Sequence, residues 1–186
     1  MEEIKKIVEI LQAGGIILYP TDTVWGIGCD PTNELAVQKI YDLKRRADSK
    51  AMLLLTDSMA KVQAYVTDVP DVVWDLVECA EKPLTIIYPQ GRNLATNLMA
   101  QDGSVGIRIT NEAFSKQLCM RFKKPIVSTS ANVSGQPTPA FFDEISEEIK
   151  AGVDYIVQAR QDDREKKQPS SIIKFEKNGT FAIIRE

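Results

Sequence analysis

Histidine is absent from all 186 residues, and that absence removes the most chemistry. A Ser-His-Asp or Cys-His hydrolase, a histidine-bearing metal site and a histidine general base are all excluded. Cysteine is sparse: Cys29, Cys79 and Cys119 lie far apart with no C-x-x-C spacing. Three scattered thiols fit a reduced, cytoplasmic protein better than a disulfide framework. No apolar run approaches the roughly 18 residues of a membrane span. The first residues, Met1-Glu2-Glu3-Ile4, are acidic, unlike a signal peptide, so no membrane association is expected. There is no G-x-x-x-x-G-K-[ST], which rules out a P-loop. Excess positive charge is lacking too. A net charge of -3 argues against general coating of nucleic acid, while leaving room for a local basic patch.

What is present is ordinary for a globular chain: 44% hydrophobic and 26% charged residues, enough for one substantial domain across residues 1–186. Ile4, Ile7, Val8 and Leu11 have helical spacing, stopped by Gly14-Gly15. Residues 15–19 read as a strand buried on both faces, and residues 20–33 as a polar, Gly-rich connection. Thr32 or Asn33 can cap a helix carrying Val37, Ile40, Tyr41 and Lys44. Further strands are expected at 52–55, 84–88, 105–109, 125–128 and 155–157. Helices are expected around 59–65, 72–79, 114–122 and 143–150. Residues 161–168 contain no apolar residue and read as a mobile loop. Asn178-Gly179 lies between two strand-like runs, 171–175 and 181–184, a hairpin signal. No linker or repeat interrupts the pattern, which predicts a single α/β domain with a twisted mixed β-sheet and flanking helices.

Three clusters could carry chemistry. The strand at Pro125 runs into Ser128-Thr129-Ser130-Ala131-Asn132, and five small or polar residues at a strand end exceed what one turn needs. Lys44-Arg45-Arg46 either complements the helix dipole or binds an anion. Thr21-Asp22-Thr23 follows the first strand as a turn or as a ligand rim, and Trp25 is either core or an aromatic wall. Arg108 stands on a predicted strand. Asp22 is the one acid beside these segments, so a metal ion there would be held largely by substrate phosphates.

In order, these segments resemble the YrdC-like family of threonylcarbamoyl-AMP synthases. The matching pieces are residues 19–28 (YPTDTVWGIG), 40–46 (IYDLKRR), 106–108 (GIR), 128–135 (STSANVSG) and 169–172 (PSSI). The resemblance is to the short, single-domain type. It implies a concave, positively charged cavity. It also implies a reaction of L-threonine, bicarbonate and ATP, with Mg²⁺, to give threonylcarbamoyl-adenylate and pyrophosphate. Partner proteins then transfer the threonylcarbamoyl group to adenosine 37 of tRNAs reading codons that start with A. The family's K-x-R and S-x-N residues fall on Lys44, Arg46, Ser130 and Asn132, as catalytic and nucleotide-binding groups. Its threonine pocket falls on Thr23, Arg108, Ser128 and a serine at Ser170 or Ser171. Other nucleotide contacts fall on Lys50, Ser104, Thr138 and Arg185. Arg45 stands where the family usually has Gly or Gln. Two alternatives stay open: a module binding double-stranded RNA or tRNA directly, and a carbamoyl-transfer domain related to hydrogenase maturation.

Overall fold

The spacing of Ile4, Ile7 and Leu11 places all three on the buried side of the first helix, α1 (Glu2–Gln12). Gly14, at φ +77°, ends it: its amide donates to Leu11 and that of Gly15 to Ile10, a left-handed stop that glycine adopts without a Cβ penalty. A computed structural model describes residues 2–46 and 52–186 of the chain.

Among the described residues nine strands follow the chain as β1 (Ile17–Tyr19), β2 (Gly26–Gly28), β3 (Leu53–Thr56), β4 (Leu84–Tyr88), β5 (Val105–Ile109), β6 (Ile126–Ser130), β7 (Tyr155–Ile156), β8 (Ser171–Phe175) and β9 (Phe181–Arg185). They form one mixed sheet in the order β7-β1-β2-β6-β3-β5-β4-β8-β9. The other helices are α2 (Glu34–Lys44), α3 (Met59–Tyr65), α4 (Asp71–Glu78), α5 (Ala113–Phe122) and α6 (Glu147–Gly152). Asn33 caps α2 by accepting from the Ala36 amide. The neighbouring Thr32 instead bonds Asp30. Among the described residues no helix is long and apolar enough to cross a membrane.

Two expectations are corrected. The Gly-rich connection contains a strand: β2 pairs antiparallel with both β1 and β6. It fits because Gly28 has no side chain; a Cβ there would lie 2.6 Å from the Val127 carbonyl and 2.7 Å from the Tyr19 ring. The helix expected at 143–150 is two pieces, a 3₁₀ turn at Phe142–Glu144 and α6. Ser146 divides them, since its hydroxyl accepts from the Ile149 amide and starts a new helix.

Strand side chains alternate between the two faces of the sheet. One face (Leu18, Leu54, Ile107, Val127 and Ile86) joins the large core with Val37, Ile40 and Tyr41 of α2. The other face (Ile17, Tyr19, Leu55 and Ile126) packs under Ile7 and Leu11 of α1 and Leu118 and Phe122 of α5. Those two helices cover one end of that second face. The remainder is the floor of the site.

Candidate functional site

Pairs of residues two apart build that floor, because such pairs share a face. They are Ser128 and Ser130 on β6, Gly106 and Arg108 on β5, Thr85 and Ile87 on β4, and Ile172 and Lys174 on β8. Register places them in rows: Leu53 lies opposite Ser128, Arg108 opposite Thr85, Thr85 opposite Ile172, and Ile172 opposite Arg185. Above them opens a cavity of about 700 Å³. Its lining carries Arg46, Arg108, Lys166, Lys167, Lys174 and Arg185, and among the described lining residues there is no carboxylate.

Arg108 anchors one end. It is 3% exposed, and its Nη2 donates to Thr23 Oγ1 at 3.3 Å. The same Nη2 lies 2.9 Å from Asp22 Oδ1, an ion pair rather than an aligned hydrogen bond, for Asp22 Oδ1 has no hydrogen-bond partner. Arg108 Nε is buried without a partner as well. Thr23 is fixed in turn. Its amide donates to Thr21 Oγ1, the two hydroxyls share a hydrogen bond, and Thr21 Oγ1 donates to the Val24 carbonyl at 2.7 Å. A buried guanidinium with unused donor capacity, held by a hydroxyl and a carboxylate, is built to receive a small anion.

A second polar chain runs beside it. Thr85 and Ser170 share a hydrogen bond of 2.9 Å. Arg185 Nε donates to the Ser170 carbonyl at 2.8 Å and Nη2 to Ser170 Oγ at 3.3 Å. Of the two serines considered from sequence, Ser170 lines the cavity and Ser171 does not. Alternation accounts for this, because Ser170 shares a face with Ile172 and Lys174.

The helix-end basic cluster divides three ways. Arg45 takes a left-handed conformation at φ 49° and caps α2, its amide donating to Asp42. A glycine would sit there freely; a side chain costs roughly 1–2 kcal/mol. Arg45 points outward to Glu148 on α6, at 2.6 Å. Arg46 reaches the cavity, and burial lowers its pKa below the usual arginine value. Lys44 turns inward at 1% exposure and does not line the cavity. Its Nζ donates to the Ser130 carbonyl and, at 2.6 Å, to the Asn132 carbonyl. Burial, then the nearby Arg46 charge, lowers its pKa from 10.5 to about 8.

Asn132 is also turned from the cavity. Its Nδ2 donates to the carbonyls of Val133 and Gln136, at 3.1 and 2.7 Å, shaping the turn after β6. Ser128, Ser104 and Thr138 line the cavity together with Thr23, Arg108 and Ser130. Lys50 lies outside the described residues. Trp25 is core: it is 5% exposed and packs on Phe142 with centroids 4.8 Å apart. Sequence reasoning passed over Lys166, Lys167 and Lys174. Lys174 had a signal, its period-two relation to Ser170 and Ile172. The two loop lysines had none, since a loop has no periodicity to assign a direction.

Comparisons with known proteins agree on one group. The family model Sua5_yciO_yrdC, described as "Telomere recombination", matches residues 9–186. A threonylcarbamoyl-AMP synthase of Pseudoalteromonas translucida is 35% identical over 153 residues, 81% of this chain and 82% of that protein. The H234A/Y235A variant of P. abyssi Sua5 superposes with TM-score 0.87 at 21% identity, covering all of this chain and 57% of its own length. The same protein has been solved complexed with L-threonine, with TM-score 0.82 and 21% identity over 92% of this chain and 50% of that one. E. coli YciO superposes with TM-score 0.84 at 23% identity, covering all of this chain and 89% of that one.

Proposed function

The chain belongs to the Sua5/YciO/YrdC family, and from that membership we propose that it is a threonylcarbamoyl-AMP synthase. It condenses L-threonine, bicarbonate and ATP into threonylcarbamoyl-adenylate with release of pyrophosphate. The single observation that carries this is the pairing, in one cavity, of a buried Arg108 site with a wide space whose described lining residues include five further cations and no carboxylate. One end suits an amino-acid carboxylate, the other a polyphosphate. The hydrogenase-maturation reading is not favoured, because the curated relative carries the synthase name.

Threonine's carboxylate goes to Arg108, whose planar fork presents the buried Nε as a free donor. Thr23 and Ser128 set the orientation of the amino acid, and Ser170 closes the pocket beside Thr85. The amine adds to bicarbonate carbon, losing water, to give a carbamate. A carbamate oxygen then attacks the α-phosphorus as the bond to the β-phosphate breaks, and the electron pair leaves on pyrophosphate. Negative charge grows on the phosphoryl oxygens and the leaving group, so fixed cations stabilise the transition state. Arg46 does this from the cavity wall. Lys44 acts from behind it, adding its charge and holding the strand end that presents Ser130. Asn132 contributes by shaping that turn. Ser104, Thr138 and Arg185 contact the nucleotide.

Mg²⁺ enters with ATP as part of the substrate. Its ligands come largely from the phosphates, whose charge it offsets. The adenylate product passes to proteins that modify tRNA. The test is direct: incubate the chain with Mg²⁺-ATP, bicarbonate and L-threonine and follow pyrophosphate. Release that requires both bicarbonate and threonine is expected. Release indifferent to either overturns the proposal.

A further inference from the structure

We propose that Lys166 and Lys167 form a phosphate-binding site for the nucleotide's β- and γ-phosphates and for the pyrophosphate they become. The inference rests on the synthase reading and adds two substrate-contacting residues to it.

Both lysines line the cavity, and Lys167 also borders a recess beside Thr21, Thr23 and Ala140 whose lining includes Asp163 and Glu165. They sit on the loop between β7 and β8, which is tied down on the side preceding them. Arg160 takes a left-handed conformation at φ 63°, which a non-glycine residue keeps only where its surroundings hold it. Its guanidinium does the holding. Nη1 donates to the Thr21 carbonyl at 3.1 Å and lies 3.2 Å from Glu112 Oε1, while Nη2 donates to Asp163 at 2.7 Å. Arg164 then reaches Asp143 at 2.7 Å. On the far side, Ser170 is fixed through Thr85 and Arg185. The two lysines are therefore presented toward the cavity from a braced segment.

Their charges are answered unequally by the protein. Lys167 pairs with Glu165. Lys166 makes no ion pair or hydrogen bond among the described residues. Adjacent ammonium groups repel each other, and the same lining carries Arg46 and Lys174, the latter paired with Asp102 and Glu176; among the described lining residues themselves there is no carboxylate. In a chain of net charge -3, two consecutive lysines on a cavity wall, one of them with no protein partner among the described residues, suit a polyanion. A single carboxylate does not meet that demand, and Arg108 already serves the amino acid. A triphosphate does. When the α-phosphate is attacked, the departing pyrophosphate gains negative charge, and ammonium groups on its oxygens stabilise the step.

The test is calorimetric titration of inorganic pyrophosphate, Mg²⁺-ATP and L-threonine into the full chain and into Lys166→Gln/Lys167→Gln. Expected are pyrophosphate and ATP affinities about tenfold or more weaker in the variant, threonine affinity within about twofold, and an unchanged melting temperature. Lys166→Arg/Lys167→Arg, which keeps both charges, is expected to restore binding to within about threefold. Pyrophosphate and ATP affinities unchanged in the glutamine variant, or a loss confined to threonine, overturn the proposal. A wild-type chain that binds neither ATP nor pyrophosphate overturns the synthase reading itself, so the two failures are distinguishable.

Discussion

At the scale of single residues, the spacing Lys44-Arg45-Arg46 makes sense once Arg45 is seen as the left-handed cap of α2. The cap sends its neighbours different ways, Lys44 into the protein and Arg46 to the cavity. The buried Lys44 ammonium is clasped by the carbonyls of Ser130 and Asn132. Lys44→Ala removes both a charge and this clasp, so turnover should fall by about 10²-fold or more in a pyrophosphate-release assay. With its pKa lowered to about 8, Lys44 is charged below that pH and loses its proton above it. Turnover should therefore decline as pH rises through about 8. In Lys44→Arg, whose guanidinium keeps its charge, the declining limb should move upward. Stability runs the other way. Between about 8 and 10.5 the unfolded chain holds the proton that the folded chain has released, so Lys44's contribution favours folding more as pH rises. The residue types of this cluster were legible in the sequence, but the inward turn of Lys44 and Asn132 was not. Periodicity placed Lys44 near the buried face of α2; it could not reveal two carbonyls waiting for the ammonium.

Among elements, the strands were the most legible part of the chain, and β2 was the exception. Val, Ile and Leu runs declare a buried strand, whereas Gly26-Ile27-Gly28 is a strand because its glycines let neighbouring strands approach. Strand alternation also resolves the choice between two adjacent serines. Ser170 is 2% exposed and bonded to Thr85 and Arg185. Ser171 lies on the other side of β8, and its amide pairs with Pro83. Ser170→Ala forfeits hydrogen bonds worth about 1 kcal/mol, so the KM for threonine should rise roughly fivefold to tenfold, a range that allows for loosening of the pocket. Ser171→Ala should change it less than about twofold, because its backbone pairing survives. Equal effects of the two substitutions would contradict the assignment of faces. The split at Ser146 was written in the sequence as a serine able to cap; the helical pattern around 143–150 hid it.

For the whole molecule, the cavity exists because α1 and α5 cover only one end of a nine-stranded sheet. The uncovered floor gathers groups from residue 21 to residue 185, a convergence that no local pattern discloses. The ordered set of motifs disclosed it indirectly, since segments spread across the chain match the family in sequence. Residue types are sorted in the same way: in a chain of net charge -3, the described cavity lining includes six Lys and Arg residues and no Asp or Glu. If the chain is the synthase, threonine, bicarbonate and ATP are joined in this one space. The most direct measurement supplies ¹³C-bicarbonate with L-threonine and Mg²⁺-ATP and follows the products by mass spectrometry. The expected product is threonylcarbamoyl-adenylate carrying one ¹³C, formed in equal amount with pyrophosphate and lost when Arg108 is replaced by alanine. An adenylate without the label, or ATP cleaved with no adenylate formed, would contradict that reading.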